Sequence, residues 1–143
     1  MAKKKITIII CSYNNSLYLK KCLSSVFNQS ISFDKFDVIL IDDKSNDKSL
    51  EIANNYKNKK NFKIIKNRKN IGLVKSCNKA IKYSKTDFIV RVDSDDYVSF
   101  NFIEVFLKYI DKGYEFIITN YKTLKNKKIK KKNINTFKLK DLI

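Results

Sequence analysis

Five short apolar runs frame this chain: Ile6–Cys11, Phe36–Ile41, Phe62–Ile65, Phe88–Val92 and Phe116–Thr119. None exceeds six residues, and their nearly continuous apolar character is what strands covered on both faces require. Between them the period changes. Leu19, Cys22, Leu23, Val26 and Phe27 recur at helical spacing, as do Leu50, Ala53 and Tyr56. Leu73, Cys77, Ala80 and Ser84 define the inner face of a third predicted helix, and Phe102, Phe106, Tyr109 and Ile110 that of a fourth. Asn14, Asn15 and Ser16 precede the first helix and Ser45, Asn46 and Asp47 the second, all of them capping or turn residues. Strand and helix in regular alternation predict an α/β fold, a mainly parallel sheet with helices on both faces.

The chain has 143 residues, a size that suits one compact domain, and 43% of them are hydrophobic. It has no His, which excludes imidazole acid–base catalysis, Ser-His-Asp triads and His-ligated zinc. Two glycines, Gly72 and Gly113, are too few for a Walker A loop or a GxGxxG fingerprint. Phosphate chemistry here must rest on a metal, on lysines or on helix N-termini. Cys11, Cys22 and Cys77 form no CxxC and follow no signal-peptide pattern, so buried thiols in a reducing cytosol are expected. No run reaches the ~18 apolar residues of a membrane span.

The net charge of +17 is uneven. Residues 120–143 carry nine lysines against one acid, Asp141, and lack clear periodicity. This divides the chain into an α/β portion, 1–119, and a basic tail, 120–143, which is either a tail proper or the start of a missing acceptor-binding part. The charge raises nucleic-acid binding as an alternative. The aromatics, however, fall on inward positions and are not interleaved with the lysines, and no recognition motif occurs, so no nucleic-acid partner is expected.

Ligands of open parallel sheets bind beyond the carboxyl ends of the strands. There this sequence places Tyr13 and Asn14, then Asp42-Asp43, then 67–72, then Asp93-Ser94-Asp95-Asp96. Five of the 14 acids thus gather on one rim of a basic protein. Three carboxylates within four residues repel one another unless a cation sits among them. A hard divalent ion, Mg²⁺ or Mn²⁺, held by one or two carboxylates and phosphate oxygens fits that pattern, whereas the spacing does not fit a calcium-binding EF-hand.

Four motifs stand in order: Ile8-Ile9-Ile10-Cys11-Ser12-Tyr13-Asn14, Val38-Ile39-Leu40-Ile41-Asp42-Asp43-Lys44-Ser45, Asn70-Ile71-Gly72-Leu73 and Val92-Asp93-Ser94-Asp95-Asp96. Together, from about Lys5 to about Thr119, they resemble the family 2 glycosyltransferases of GT-A, Rossmann-like fold. The resemblance implies transfer of a sugar from a nucleotide-diphosphate donor, a UDP-sugar above all, to an acceptor hydroxyl. It further implies metal dependence, inversion, and a place in cell-surface glycan or polysaccharide synthesis. By the same resemblance Tyr13 stacks on the donor's base, Asp43 accepts its imide N–H, and Asp42 supports the loop beside it. Asp93 takes the ribose and metal edge and Asp95 ligates the metal directly. Asp96 lies behind the metal or on the acceptor side, unless it is a helix N-cap. Gly72 lets backbone approach the donor, and Lys75 reaches a phosphate from the third helix or is a solvated surface lysine.

This chain departs from the family pattern at three of these places. Cys11 stands for the usual Pro, Lys44 for a common Gly, and Cys77 for an Arg carried by many members. The general base of an inverting enzyme lies well after the Asp-x-Asp in the family, and only Glu104, Asp111, Glu115 and Asp141 follow Asp96 here. None is a convincing base. The chain is therefore expected to resemble the donor half of such an enzyme and to stop before its acceptor half, with a non-catalytic nucleotide-sugar-binding remnant as the alternative. A glycan or lipid-linked acceptor is implied. The expected location is cytoplasmic, with peripheral contact at the inner membrane face through the basic tail.

Overall fold

The computed structural model describes residues 6–119 and the backbone of 135–137. They fall into two compact units divided between Phe102 and Ile103. The rest of the basic stretch 120–143, Asp141 included, lies outside the described residues, as does any surface contact expected of it.

The first unit follows the alternation read from the sequence. Strand β1 (Ile6–Ser12), helix α1 (Ser16–Phe27), strand β2 (Phe36–Asp42), helix α2 (Ser49–Asn54), strand β3 (Phe62–Lys66), helix α3 (Leu73–Tyr83) and strand β4 (Phe88–Arg91) succeed one another. The four strands form one parallel sheet in the order β3-β2-β1-β4. After β3 the chain crosses back to the far side of β1, so the order reverses there. Such a switch point opens a crevice at the carboxyl ends of the strands.

Side chains alternate between the two faces of a strand, and the parallel register sets Ile8 beside Val38 and Val90, and Ile9 beside Ile39. On one face α3 brings Ala80 and Cys77 against Ile9, Ile39, Ile41, Ile65 and Ile89. The opposite face carries Ile8, Ile10, Val38 and Leu40, all essentially solvent-free. Phe62 is in register with Val38 and therefore shares that face, and Phe27 at the end of α1 meets it edge-on at 5.2 Å. Tyr56, just beyond α2, stacks on Phe27 at 5.1 Å. Helices thus cover both faces, as the apolar runs demand. Each fully buried Ile, Leu or Phe contributes about 1.5–3 kcal/mol, so the central strands carry most of the stability. Thr7, buried among them, bonds Thr86 Oγ1 at 2.7 Å and Ser84 Oγ at 2.9 Å, so its hydroxyl is not stranded.

Two sequence expectations need correction. The inner face of α3 is Ser76, Cys77 and Ala80, while Leu73 is 50% exposed. Polar partners on the neighbouring loop draw Ser76 inward, as described below. The fifth run does not extend the parallel sheet either. In the second unit, strand β5 (Phe116–Ile118) pairs antiparallel with strand β6 (Asn135–Phe137) as a separate two-stranded sheet. Phe116 and Ile118 are half exposed, unlike a strand covered on both faces. Helix α4 (Phe102–Asp111) buries Ile103, Phe106 and Ile110, spaced for one helical face.

Candidate functional site

The carboxyl ends of β1 and β2 lead into two loops that hold each other. Asn14 adopts a left-handed conformation (φ 49°), and its amide donates to Ser45 Oγ at 3.1 Å. In return, the Asn46 amide donates to Asn14 Oδ1 at 2.7 Å. Asn15 makes no side-chain cap at the N-terminus of α1, and its Nδ2 donates instead to Ser94 Oγ at 2.7 Å. Asp47 serves from the other loop, accepting the Ser16 amide at 2.8 Å and the Ser49 amide at 2.9 Å. Burial pushes the Asp47 carboxyl up, but bonds from Ser49 and Ser16 outweigh that and bring it down to about 2. Lys44, at the position of the family's common Gly, also sits at positive φ (69°).

Asp42 and Asp43 point to opposite faces, as successive residues leaving a strand do. Asp42 is buried; its Oδ2 accepts the Ser45 amide at 3.3 Å, while Oδ1 has no partner among the described residues. Asp43 is also buried and fully engaged on one oxygen. Its Oδ1 accepts Asn67 Nδ2 at 2.7 Å and the Ile71 amide at 2.9 Å, and its Oδ2 accepts the Gly72 amide at 2.8 Å. Burial raises this carboxyl, yet the donors of Ile71, Asn67, Gly72 and Ser76 together hold it below the ordinary Asp range. A single carboxylate therefore shapes the whole turn from β3 into α3. Asn67 relays the arrangement, donating also to Ser76 Oγ at 3.0 Å and accepting Lys79 Nζ at 2.6 Å.

Above Asp43 lies a cleft of about 220 Å³, lined by Cys11, Ser12, Tyr13, Asp43, Asn70, Gly72, Leu73 and Ser76. Tyr13 is 49% exposed, so a ring face is open to a flat ligand. Gly72 has φ 83° and ψ 162°, a region essentially restricted to glycine. A Cβ there would meet no atom within 4 Å, so the space over this backbone is open. The cleft falls below the ~300 Å³ at which sites for whole drug-sized ligands begin, and suits a heterocyclic ring.

The acids after β4 occupy a turn closed by the Asp96 amide donating to the Asp93 carbonyl at 3.0 Å. Ser94 is buried and anchored by Asn15, and the Cys22 thiol donates to the Asp93 carbonyl. Asp95 and Asp96 are exposed. Asp93 is held by Arg91 in a two-point ion pair, Nε–Oδ1 at 3.0 Å and Nη2–Oδ2 at 3.1 Å. Partial loss of solvent on the side facing the protein, and then the charges of Asp95 and Asp93, push the Asp96 carboxyl upward although the residue as a whole is exposed. Such crowding of negative charge is what a divalent cation relieves. Among the described residues no three metal-ligating side chains converge. These hard carboxylate oxygens suit Mg²⁺ or Mn²⁺ completed by phosphate oxygens and water, and do not make a closed protein cage.

Lys75, unlike its neighbour Ser76, is not among the residues that line the cleft. It is exposed and lines a separate groove of about 330 Å³ with Asn78, Lys79 and Lys82. Glu104 and Asp111 are on α4, and Glu115 immediately precedes β5. One contributor, Arg91, escaped the sequence reading, although a cation inside an apolar strand two residues before an acid was a local signal. Asn67, expected only at the rim, also ties Asp43 to α3, and Asp47, expected before the second helix, also serves the first.

The family model for glycosyl transferase family 2 matches residues 7–141. The poly(ribitol-phosphate) beta-glucosyltransferase of Bacillus spizizenii is 41% identical over 96 residues, which are 66% of this chain and 15% of that protein. The crystal structure of TarS 1–349 from S. aureus in complex with UDP has a TM-score of 0.78 and 29% identity, over 87% of this chain and 37% of that one. TarS 1–349 in complex with UDP-GlcNAc matches equally well, over 87% of this chain and 36% of that one. A mannosyltransferase of Pyrobaculum calidifontis, in complex with GDP-Man and Mn²⁺, shares the fold at a TM-score of 0.75 with 16% identity, over 86% of this chain and 37% of that one. The chain thus spans well under half the length of these relatives.

Proposed function

The chain belongs to glycosyl transferase family 2, and on that premise we propose that its first 119 residues bind the nucleotide-diphosphate sugar of a glycosyltransferase reaction. The donor is a UDP-sugar, the acceptor a hydroxyl of a glycan or lipid-linked glycan, and the product belongs to cell-surface polysaccharide. The observation that carries this reading is the cleft joining an exposed Tyr13 ring to the Asp43 carboxylate and the open backbone of Gly72. The complexes of TarS with UDP and UDP-GlcNAc support the choice of nucleotide.

In this mechanism Tyr13 stacks on the uracil ring. Asp43 is ionised and has Oδ1 filled by Asn67 and Ile71, so an imide N–H must be accepted at Oδ2 beside the Gly72 amide. Asp42 and Asp47 hold the loops that keep Tyr13 in place. The diphosphate extends past Gly72 toward the acids after β4, with Lys75 available on α3 as a cation. Asp95 and Asp93 would hold Mg²⁺ or Mn²⁺, Asp93 by exchanging its bond to Arg91, and Asp96 stands behind them or faces the acceptor. When bound, the metal supplies charge neutralisation of the leaving diphosphate. Inversion at the sugar needs a carboxylate base at the acceptor hydroxyl, and none of the acids following Asp96 is assigned that role.

A second reading is nucleotide-sugar binding without sugar transfer by this chain. No described helix is long and apolar enough to cross a membrane. The proposal places the protein on the cytoplasmic side, with the lysines of 120–143 drawn to an anionic surface. Calorimetric titration with UDP, with and without Mn²⁺, tests donor binding. Binding that strengthens with metal and is lost in Asp95→Ala is expected. Failure of UDP to bind in either condition overturns the reading. Release of free sugar from a UDP-sugar then separates an enzyme from a binding module.

A further inference from the structure

Two of the three departures from the family pattern meet in space. Cys11, at the end of β1, and Cys77, on the inner face of α3, bring their sulfurs to 3.5 Å across 66 positions of chain. Both are partly accessible, and Cys11 lines the cleft itself. The third cysteine, Cys22, is buried on α1, against the opposite face of the sheet, and donates to the Asp93 carbonyl. Nothing in the donor-binding mechanism above uses either of the paired thiols.

We propose that Cys11 and Cys77 form a reversible disulfide in the floor of the cleft when the protein meets a small-molecule disulfide oxidant. The chemistry balances in two exchanges. One protein sulfur, as its thiolate, attacks the oxidant RSSR, giving a protein–S–S–R mixed disulfide and one RSH after the leaving thiolate takes up the displaced proton. The second protein sulfur attacks the first, expelling another RSH and closing Cys11–S–S–Cys77. The two protein thiols lose two electrons and two protons, and RSSR becomes two RSH.

Proximity favours the second exchange, because the resolving sulfur already touches the first. Closure from 3.5 Å to the ~2.05 Å of an S–S bond asks the two sulfurs to approach by roughly 1.5 Å, which side-chain rotation can supply. Tyr13 follows β1 and Ser76 is on α3, and both line the cleft, so the bridge would tie two segments of its lining together. Burial, assisted by Cys77, pushes the Cys11 thiol up to about 12. Cys11 is therefore held as the thiol, which makes its exchange with an oxidant slow at neutral pH. Cys22, pushed up to about 12 by burial and then by Asp96, Asp95 and Asp93, has no sulfur partner on its face of the sheet.

The inference is independent of the donor-binding reading, since it concerns bond formation and not ligand affinity. Its test is incubation of the whole chain with excess oxidised glutathione, followed by intact mass and a peptide map under non-reducing conditions. A loss of about 2 Da, one peptide linking Cys11 to Cys77, an unmodified Cys22 and full reversal by dithiothreitol are expected. Cys11→Ser and Cys77→Ser should each lose the linked peptide. Glutathione adducts that persist on Cys11 or Cys77 without a bridge, a bridge to Cys22, or no change in mass would overturn it. The wild-type map alone decides the matter if either serine variant fails to fold.

Discussion

Replacing Asp43 with Asn keeps the shape of the side chain and removes its charge, and so isolates what the carboxylate does. In the native turn three N–H donors end on it, beside the Ser76 hydroxyl: Asn67 Nδ2, the Ile71 amide and the Gly72 amide. An amide side chain can offer one oxygen. If that oxygen faces Asn67 and Ile71, its NH₂ group confronts the Gly72 N–H, donor against donor. Bonds to a charged acceptor contribute about 1.5–3 kcal/mol and neutral ones about 1, so two bonds weaken and the third is lost at a further cost of about 1–3 kcal/mol. Relief of the burial that opposes the charge returns part of this. The net loss is about 2–4 kcal/mol, against the 5–15 kcal/mol typical of a domain, and corresponds to a fall in Tm of roughly 10 °C.

The sign with pH follows from the depressed carboxyl. Its folded value lies below the unfolded one of ~3.9, so the stabilisation is complete above ~4 and is lost as pH falls through the folded value. Wild type and Asp43→Asn should therefore differ most at neutral pH and converge in acid. Thermal melts over pH, with amide hydrogen exchange at Ile71 and Gly72, measure both effects. Those two amides should lose protection in the variant beyond what its global destabilisation explains. An unchanged Tm with both amides still protected would refute the assignment of Asp43 as organiser of the turn.

Three further outcomes follow from local geometry. Gly72→Ala should lower stability by about 1–3 kcal/mol in a thermal melt although its methyl meets no atom, because the strain is in the backbone (φ 83°, ψ 162°). Lys44→Gly should raise stability by about 0.5–1 kcal/mol in urea unfolding. Relief of a left-handed residue (φ 69°), about 1–2 kcal/mol, exceeds the added chain entropy of glycine, about 0.4–1 kcal/mol. Asp47→Ala removes acceptors from the Ser16 and Ser49 amides and should cost about 1–2 kcal/mol near neutral pH. That cost should shrink as pH falls below ~4 toward the carboxyl's value of about 2, which chemical denaturation at two pH values would read.

The layered sheet and the rim of Tyr13, Asp42, Asp43 and Asp93–Asp96 were legible in the sequence because they depend on local periodicity and on where strands end. What was not legible depends on contacts between distant segments. Asp47 caps α1 from 31 positions away, and so the capping residues next to that helix were free for other bonds. Ser76 turns inward, where periodicity favours an apolar residue, because Asn67 and Asp43 need polar partners there. Leu73 is thereby left at the cleft. Arg91 reads as an oddity in a strand until its pairing with Asp93 is seen. The run at Phe116 carries no mark of strand direction, and only pairing with residues 135–137 reveals it as antiparallel.

The central claim is that the cleft between Tyr13, Asp43 and Gly72 receives the base of a nucleotide diphosphate. Titration of ¹⁵N-labelled protein with UDP in the presence of Mg²⁺, followed by amide chemical shifts, tests it directly. The account predicts saturable shifts centred on Tyr13, Ile71, Gly72 and Leu73, with smaller changes at Asp93–Asp96. Shifts confined to the Lys75–Lys82 groove, or none at saturating UDP, would contradict it.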